Sequence, residues 1–166
     1  MDKFIRAISF IICLVSFGGG LAVAGTPAPP ALTVVDSALA DSVPLAGQVV
    51  YVDFWASWCK PCRQSLPWLN RMQQKYGDDG FRAIGVNVDR DRKAADKFMT
   101  QADTDIRLVY DPDGDIARQY HLVGMPTGYI YGRDGTFRRQ ELGFIPADTS
   151  KLESYIETLL KEDQPQ

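Results

Sequence analysis

Hydrophobic positions along this chain switch between two periods, and each switch predicts a change of element. Residues 49–54, VVYVDF, form a β-branched and aromatic run broken by one acid, the pattern of a buried strand. Over 60–76 the apolar residues Leu66, Leu69, Met72 and Tyr76 recur at three and four, which predicts a helix ended by Gly77 and kinked at Pro67. A second strand is predicted over 81–89, FRAIGVNVD. The helix RKAADKFMTQA follows, with Ala94, Ala95, Phe98, Met99 and Ala102 inward and its charged start, RDRKAADK, in solvent. IRLVY is a third strand, DPDGD a turn and IARQY a short helix. TGYIYGRDGTFRRQELGF predicts a hairpin around Asp134 and Gly135. TSKLESYIETLLK predicts a closing amphipathic helix with Leu152, Tyr155, Ile156, Leu159 and Leu160 inward.

Strands joined through helices run parallel, whereas a hairpin adds antiparallel ones, so this order predicts an α/β fold with a mixed sheet covered on both faces. Residues 32–163 make one domain of ordinary size, with no internal repeat. Residues 1–24 differ: Lys3 and Arg6 precede an apolar run, and Ala22 and Ala24 stand in the spacing of a signal-peptidase site. That pattern predicts an export signal, with a retained membrane anchor as the alternative. Residues 25–31, rich in proline and alanine, read as a tether.

Charge alters the picture little. The whole chain is at −3, and 16 basic against 20 acidic residues remain beyond position 24, so no basic face for nucleic acid is expected. Cysteine changes it more. Cys13 lies in the predicted signal, leaving Cys59 and Cys62 where the first strand hands over to the first helix.

Those two cysteines could serve as a staple, a metal site or a redox pair. A disulfide across two intervening residues closes almost no loop and gains little from chain entropy. Structural zinc takes four Cys or His ligands, and two cysteines with His121 do not supply them; a copper carrier built on two thiolates stays open. Redox exchange fits best. The unpaired N–H groups and partial positive charge of a helix start favour a Cys59 thiolate, and Pro61 suits a first helical turn. Cys59 would attack a disulfide, and Cys62, one turn on and more buried, would resolve the mixed disulfide.

Cys62 must lose its proton for that step. Asp53, in an otherwise apolar strand, is the expected acceptor, because burial raises a carboxyl pKa. Trp58, beside Cys59, is expected on the contact surface, with Trp55 as shield or core. His121 reads as loop filler, and DPDGD lacks the ligand spacing of a calcium loop.

FWASWCKPC together with VGMPTGYIYGRDGTF resembles the thioredoxin superfamily, and within it the exported TlpA/ResA-type thiol-disulfide oxidoreductases. The resemblance runs from Val49 to Leu160 and includes a segment, RDRKAADKFMTQADTDIRLVYDPDGDIARQY, that plain thioredoxins lack. It implies a thioredoxin-like three-layer α/β/α sandwich with an inserted α-β segment. It further implies a cis Pro126 beside Cys59, Met125 offering its backbone to an extended substrate, and Lys60 and Pro61 tuning the redox pair.

A periplasmic address follows as an expectation from the same resemblance, and the protein is expected to be a monomer without a bound cofactor or metal. It would reduce disulfides of exported proteins, in cytochrome c maturation among other settings, and be recharged by a membrane thiol reductase. A dithiol oxidant would share every one of these motifs. Asp89 and Asp91, in VNVDRDRK, fall where a functional acid of this family is expected, but Asp53 matches the plain thioredoxin position and is the preferred candidate.

Overall fold

A computed structural model describes residues 29, 31–39, 45–102, 104 and 106–162. The predicted signal lies outside these residues, as does most of the predicted tether. Among the described residues no helix is long and apolar enough to cross a membrane.

Five strands form one mixed sheet in the order β3-β2-β1-β4-β5: β1 (Val49–Trp55), β2 (Phe81–Asn87), β3 (Arg107–Tyr110), β4 (Thr127–Tyr131) and β5 (Phe137–Leu142). β1 pairs with β2, and β2 with β3, in parallel; β4 is antiparallel to both β1 and β5. The helices are α1 (Thr33–Asp36), α2 (Cys62–Tyr76), α3 (Arg92–Ala102), α4 (Asp115–Gln119) and α5 (Thr149–Leu160). The α/β class, the mixed sheet and the cover on both faces match the expectation. α1 and a single 3-10 turn (Pro146–Asp148) were not foreseen, because four- and three-residue elements carry no readable period.

All seven residues of β1 are buried, which explains its unbroken hydrophobic run. Val49, Tyr51 and Trp55 face a core built with α2, α3 and α5, including Leu66, Leu69, Phe98 and Ile156. Val50, Val52 and Phe54 face a second core, where Val35 of α1 and Tyr120, just past α4, close the other side. Each fully buried aliphatic or phenyl side chain contributes roughly 1.5–3 kcal/mol. A carboxyl placed in the middle of such a strand is therefore a local cost that packing on both faces must offset.

Local chemistry sets the connections. Gly77 does not stop α2 with a left-handed residue: its φ is −59°, and the chain keeps turning as far as Gly80, where φ reaches 93°. Pro67 sits inside α2 without ending it. DPDGD is a turn whose first residue, Asp111, is buried and accepts hydrogen bonds from the N–H groups of Ile116 and Ala117 at 3.1 and 2.8 Å, capping α4. In the hairpin, Gly135 donates its N–H to the Gly132 carbonyl at 2.9 Å and takes φ 72°, which glycine adopts without strain.

The second core also anchors the segment leading to the site. Rings of Phe54, Tyr120 and Tyr129 meet at centroid distances of 4.9–5.8 Å, and the Tyr129 hydroxyl donates to the Tyr120 carbonyl at 2.8 Å. Residues 120–126 thereby approach the end of β1 from a fixed point.

Candidate active site

β1 ends at Trp55, and the next turn is closed by two backbone hydrogen bonds. Cys59 donates its N–H to the Ala56 carbonyl at 3.0 Å, and Cys62 donates to the Cys59 carbonyl at 3.2 Å. α2 begins at Cys62, one residue after Pro61. Cys59 and Cys62 form a disulfide with Cα atoms 5.4 Å apart. Cys59 keeps 5% of its surface and Cys62 none, so one sulfur lies at the rim and the other beneath it. Lys60 and Pro61, the residues between, are exposed.

Asp53 is 1% exposed, and burial pushes its carboxyl up to about 8. The Ser65 hydroxyl donates to Asp53 Oδ2 at 3.2 Å, which favours the ionised form and offsets part of that rise. The same hydroxyl stands 3.5 Å from the Cys62 carbonyl oxygen. Ser65 therefore ties the buried acid to the turn of helix that carries Cys62. Its position three residues after Cys62, on the same helical face, was the signal that could have revealed it.

Asp89 is also buried, at 5% exposure, and has a different task. Its carboxylate accepts from the Ser57 N–H at 2.8 Å, from the Ser57 hydroxyl at 3.0 Å and from Asn87 Nδ2 at 2.8 Å. These bonds fix the loop between Trp55 and Cys59 to the end of β2. Neither Ser57 nor Asn87 stands out in the sequence. Nor does the strand's alternation set Asp89 apart, since Asp91, two residues on, shares its phase.

The Met125–Pro126 peptide bond is cis. Pro126 is buried, Met125 is half-buried against both cores, and the Pro126 carbonyl accepts the Gly143 N–H at 2.9 Å. Trp58 is 68% exposed and Val123 84%, while Trp55 is core, its ring 5.2 Å from that of Phe98. His121 is exposed with φ 49°. Among the described residues no group of three or more His, Cys, Asp or Glu side chains is placed to hold a metal ion.

The family model described as Redoxin matches residues 23–156. The chain belongs to the Redoxin family. It is 28% identical over 113 residues to the thiol-disulfide oxidoreductase ResA of Bacillus thuringiensis subsp. konkukian, covering 68% of this chain and 64% of that relative. It is 25% identical over 130 residues to the sporulation thiol-disulfide oxidoreductase A of Bacillus subtilis, covering 75% and 79%. Among solved structures, one from Chlorobium tepidum described as a thiol:disulfide interchange protein DsbE superposes with a TM-score of 0.69 at 42% identity, over 80% of this chain and 92% of that one. The chain spans just under two thirds of the length of the ResA relatives it matches. The thioredoxin-like sandwich and the likeness to ResA-type proteins are thus both present in this Redoxin member.

Proposed function

We propose that this Redoxin member is a thiol-disulfide oxidoreductase that exchanges two electrons between the Cys59/Cys62 pair and disulfides of other proteins. The observation that carries the reading is the stacking of a rim sulfur, a buried sulfur and a buried carboxyl around one helix start. In the reducing direction, Cys59 thiolate attacks a substrate sulfur and expels the other as thiolate, forming a mixed disulfide. Asp53 takes the proton of Cys62 as Cys62 attacks Cys59, and the second substrate thiolate leaves. The substrate disulfide gains two electrons and the enzyme dithiol loses them. The backbone beside cis Pro126, with Val123 exposed three residues before it and Trp58 exposed beside Cys59, offers an edge for an extended substrate segment.

The likeness to ResA-type relatives supports the reducing direction, an export address in the periplasm and recharging by a membrane thiol reductase. Cytochrome c maturation is one setting for the substrates, which would be disulfides of exported proteins. Equilibrating residues 25–166 with glutathione buffers and trapping free thiols tests the direction. A potential near that of thioredoxin, roughly −270 mV, makes the protein a reductant; one near −120 mV makes it an oxidant. Absence of a reversible two-thiol couple would end the reading. The Cys62→Ser variant should accumulate a mixed disulfide through Cys59.

A further inference from the structure

The mechanism loads a proton onto Asp53 at every turnover, and a carboxyl sealed between two cores must return it to water. Across the sheet, Asp53 of β1 stands opposite Gly128 of β4, and Gly128 stands opposite Glu141 of β5. Residues directly opposite share a face, so two carboxyl-bearing positions flank a position with no side chain, about 10 Å apart over two strand spacings. The gap is filled from within the sheet. A Cβ on Gly128 would overlap the ring and hydroxyl of Tyr51, whose side chain is on the Asp53 face two residues earlier in β1. Trp68 meets Tyr51 edge-on at 6.2 Å and closes the gap from α2.

The far end is open. Glu141 is ion-paired with Arg139, and both line a cavity of about 260 Å³ with Phe144, Asp148, Lys151 and Leu152. Asp148 and Lys151 pair with each other at 2.8 Å on its rim. Burial, then the carboxylates of Asp53 and Glu141, hold the Tyr51 phenol well above its ordinary range, with Arg139 opposing. The hydroxyl therefore stays neutral and keeps a proton to hand on.

We propose that Tyr51 relays protons between Asp53 and Glu141, making the Gly128 gap the route by which the buried acid exchanges with solvent. Tyr51 is hydrogen-bonded to neither acid, so protonated Asp53 gives its proton through intervening water to the Tyr51 oxygen as the Tyr51 O–H proton passes, likewise through water, to Glu141 and on to the cavity. Asp53 ends ionised and Tyr51 unchanged, with no electron moved. Tyr51 and Glu141 are positioning residues, since neither touches the sulfurs. Ser65 also meets Asp53, from α2, but its hydroxyl stands by the Cys62 carbonyl and it does not line the cavity.

The proposal rests on Asp53 acting as the base, and the test separates the two. Steady-state reduction of a disulfide-bonded peptide, with dithiothreitol as the electron donor and the uncatalysed rate subtracted, is measured for wild type, Asp53→Asn, Tyr51→Phe, Glu141→Gln and the Tyr51→Phe/Glu141→Gln double variant. Expected are a fall in kcat of about tenfold for each relay variant with KM unchanged, a larger solvent deuterium isotope effect, and no further loss in the double variant. Additive losses, or loss through KM alone, would overturn the relay. Full kcat in Tyr51→Phe beside a slow Asp53→Asn would overturn the relay and leave the base standing. An unaffected Asp53→Asn would remove both. Glu141→Gln, on a half-exposed edge strand, keeps the test valid should Tyr51→Phe fold poorly.

Discussion

Ser57 and Asp89, 32 residues apart in the chain, are joined twice, once through the Ser57 amide and once through its hydroxyl. The loop that presents Cys59 is thereby fastened to the end of the neighbouring strand rather than held only by its own turn. Hydrogen bonds to a charged acceptor are each worth roughly 1.5–3 kcal/mol, and removing the acceptor leaves the donors unpaired.

Asp89→Ala should therefore lower stability by about 2–4 kcal/mol, read from the midpoint of urea unfolding of the oxidised protein. It should also raise amide hydrogen exchange at Ser57 while leaving α5 protected. Unchanged exchange at Ser57 would mean that the loop does not depend on this carboxylate.

Ser65→Ala removes a hydroxyl that donates to Asp53. Because that bond favours the carboxylate, its loss should move the Asp53 inflection further above about 8, by roughly half to one pH unit for a bond worth about 1 kcal/mol. The pH profile of mixed-disulfide resolution reads this directly. A profile displaced to lower pH would contradict the geometry.

Much of this arrangement was legible because it rests on strong periods. VVYVDF had to be a buried strand, and a strand buried on both faces made Asp53 conspicuous as its only acid. The CxxC pair was visible for a different reason, since a disulfide over so short a loop has no structural gain. What stayed hidden depends on register. Ser57, Asn87 and Asp89 meet only because β1 and β2 pair so that Trp55 lies opposite Asn87. The Tyr51–Gly128 fit needs the antiparallel partner of β1, which no local pattern specifies. Asp89 looked like one of several acids in a charged stretch, and only the fold separates it from exposed Asp91. Gly77 does stand at the end of α2 as its position suggested, but the left-handed residue falls three positions later, at Gly80, which only the fold reveals.

Trp58, at 68% exposure, contributes little to the core. Trp58→Ala should leave the unfolding midpoint within about 0.5 kcal/mol of wild type. If it forms part of the docking edge, KM for a disulfide-bonded protein should rise about five- to tenfold, and KM for a small aromatic disulfide much less. Equal changes for both substrates would place its effect at the sulfurs instead.

Asp53→Asn should separate stability from activity. An acid whose pKa rises on folding, from an ordinary 3.8 to about 8, holds a proton in the folded state that it has lost when unfolded. Wild type is thus unpenalised below about pH 4, loses stability as pH rises from there to about 8, and is level beyond. At about 1.4 kcal/mol per unit the loss above pH 8 is on the order of 6 kcal/mol. Asn carries no such charge and its amide oxygen can still accept from Ser65. Asp53→Asn should melt close to wild type at pH 4.5 and about 15 °C higher at pH 8.5. Over the same range its resolution step should be slower by about a hundredfold and lose its inflection near 8. A variant that is both more stable and slower, with the two effects growing over one pH window, is what a buried base predicts. A merely structural carboxyl would lose stability on replacement, and a solvent-facing one would change neither.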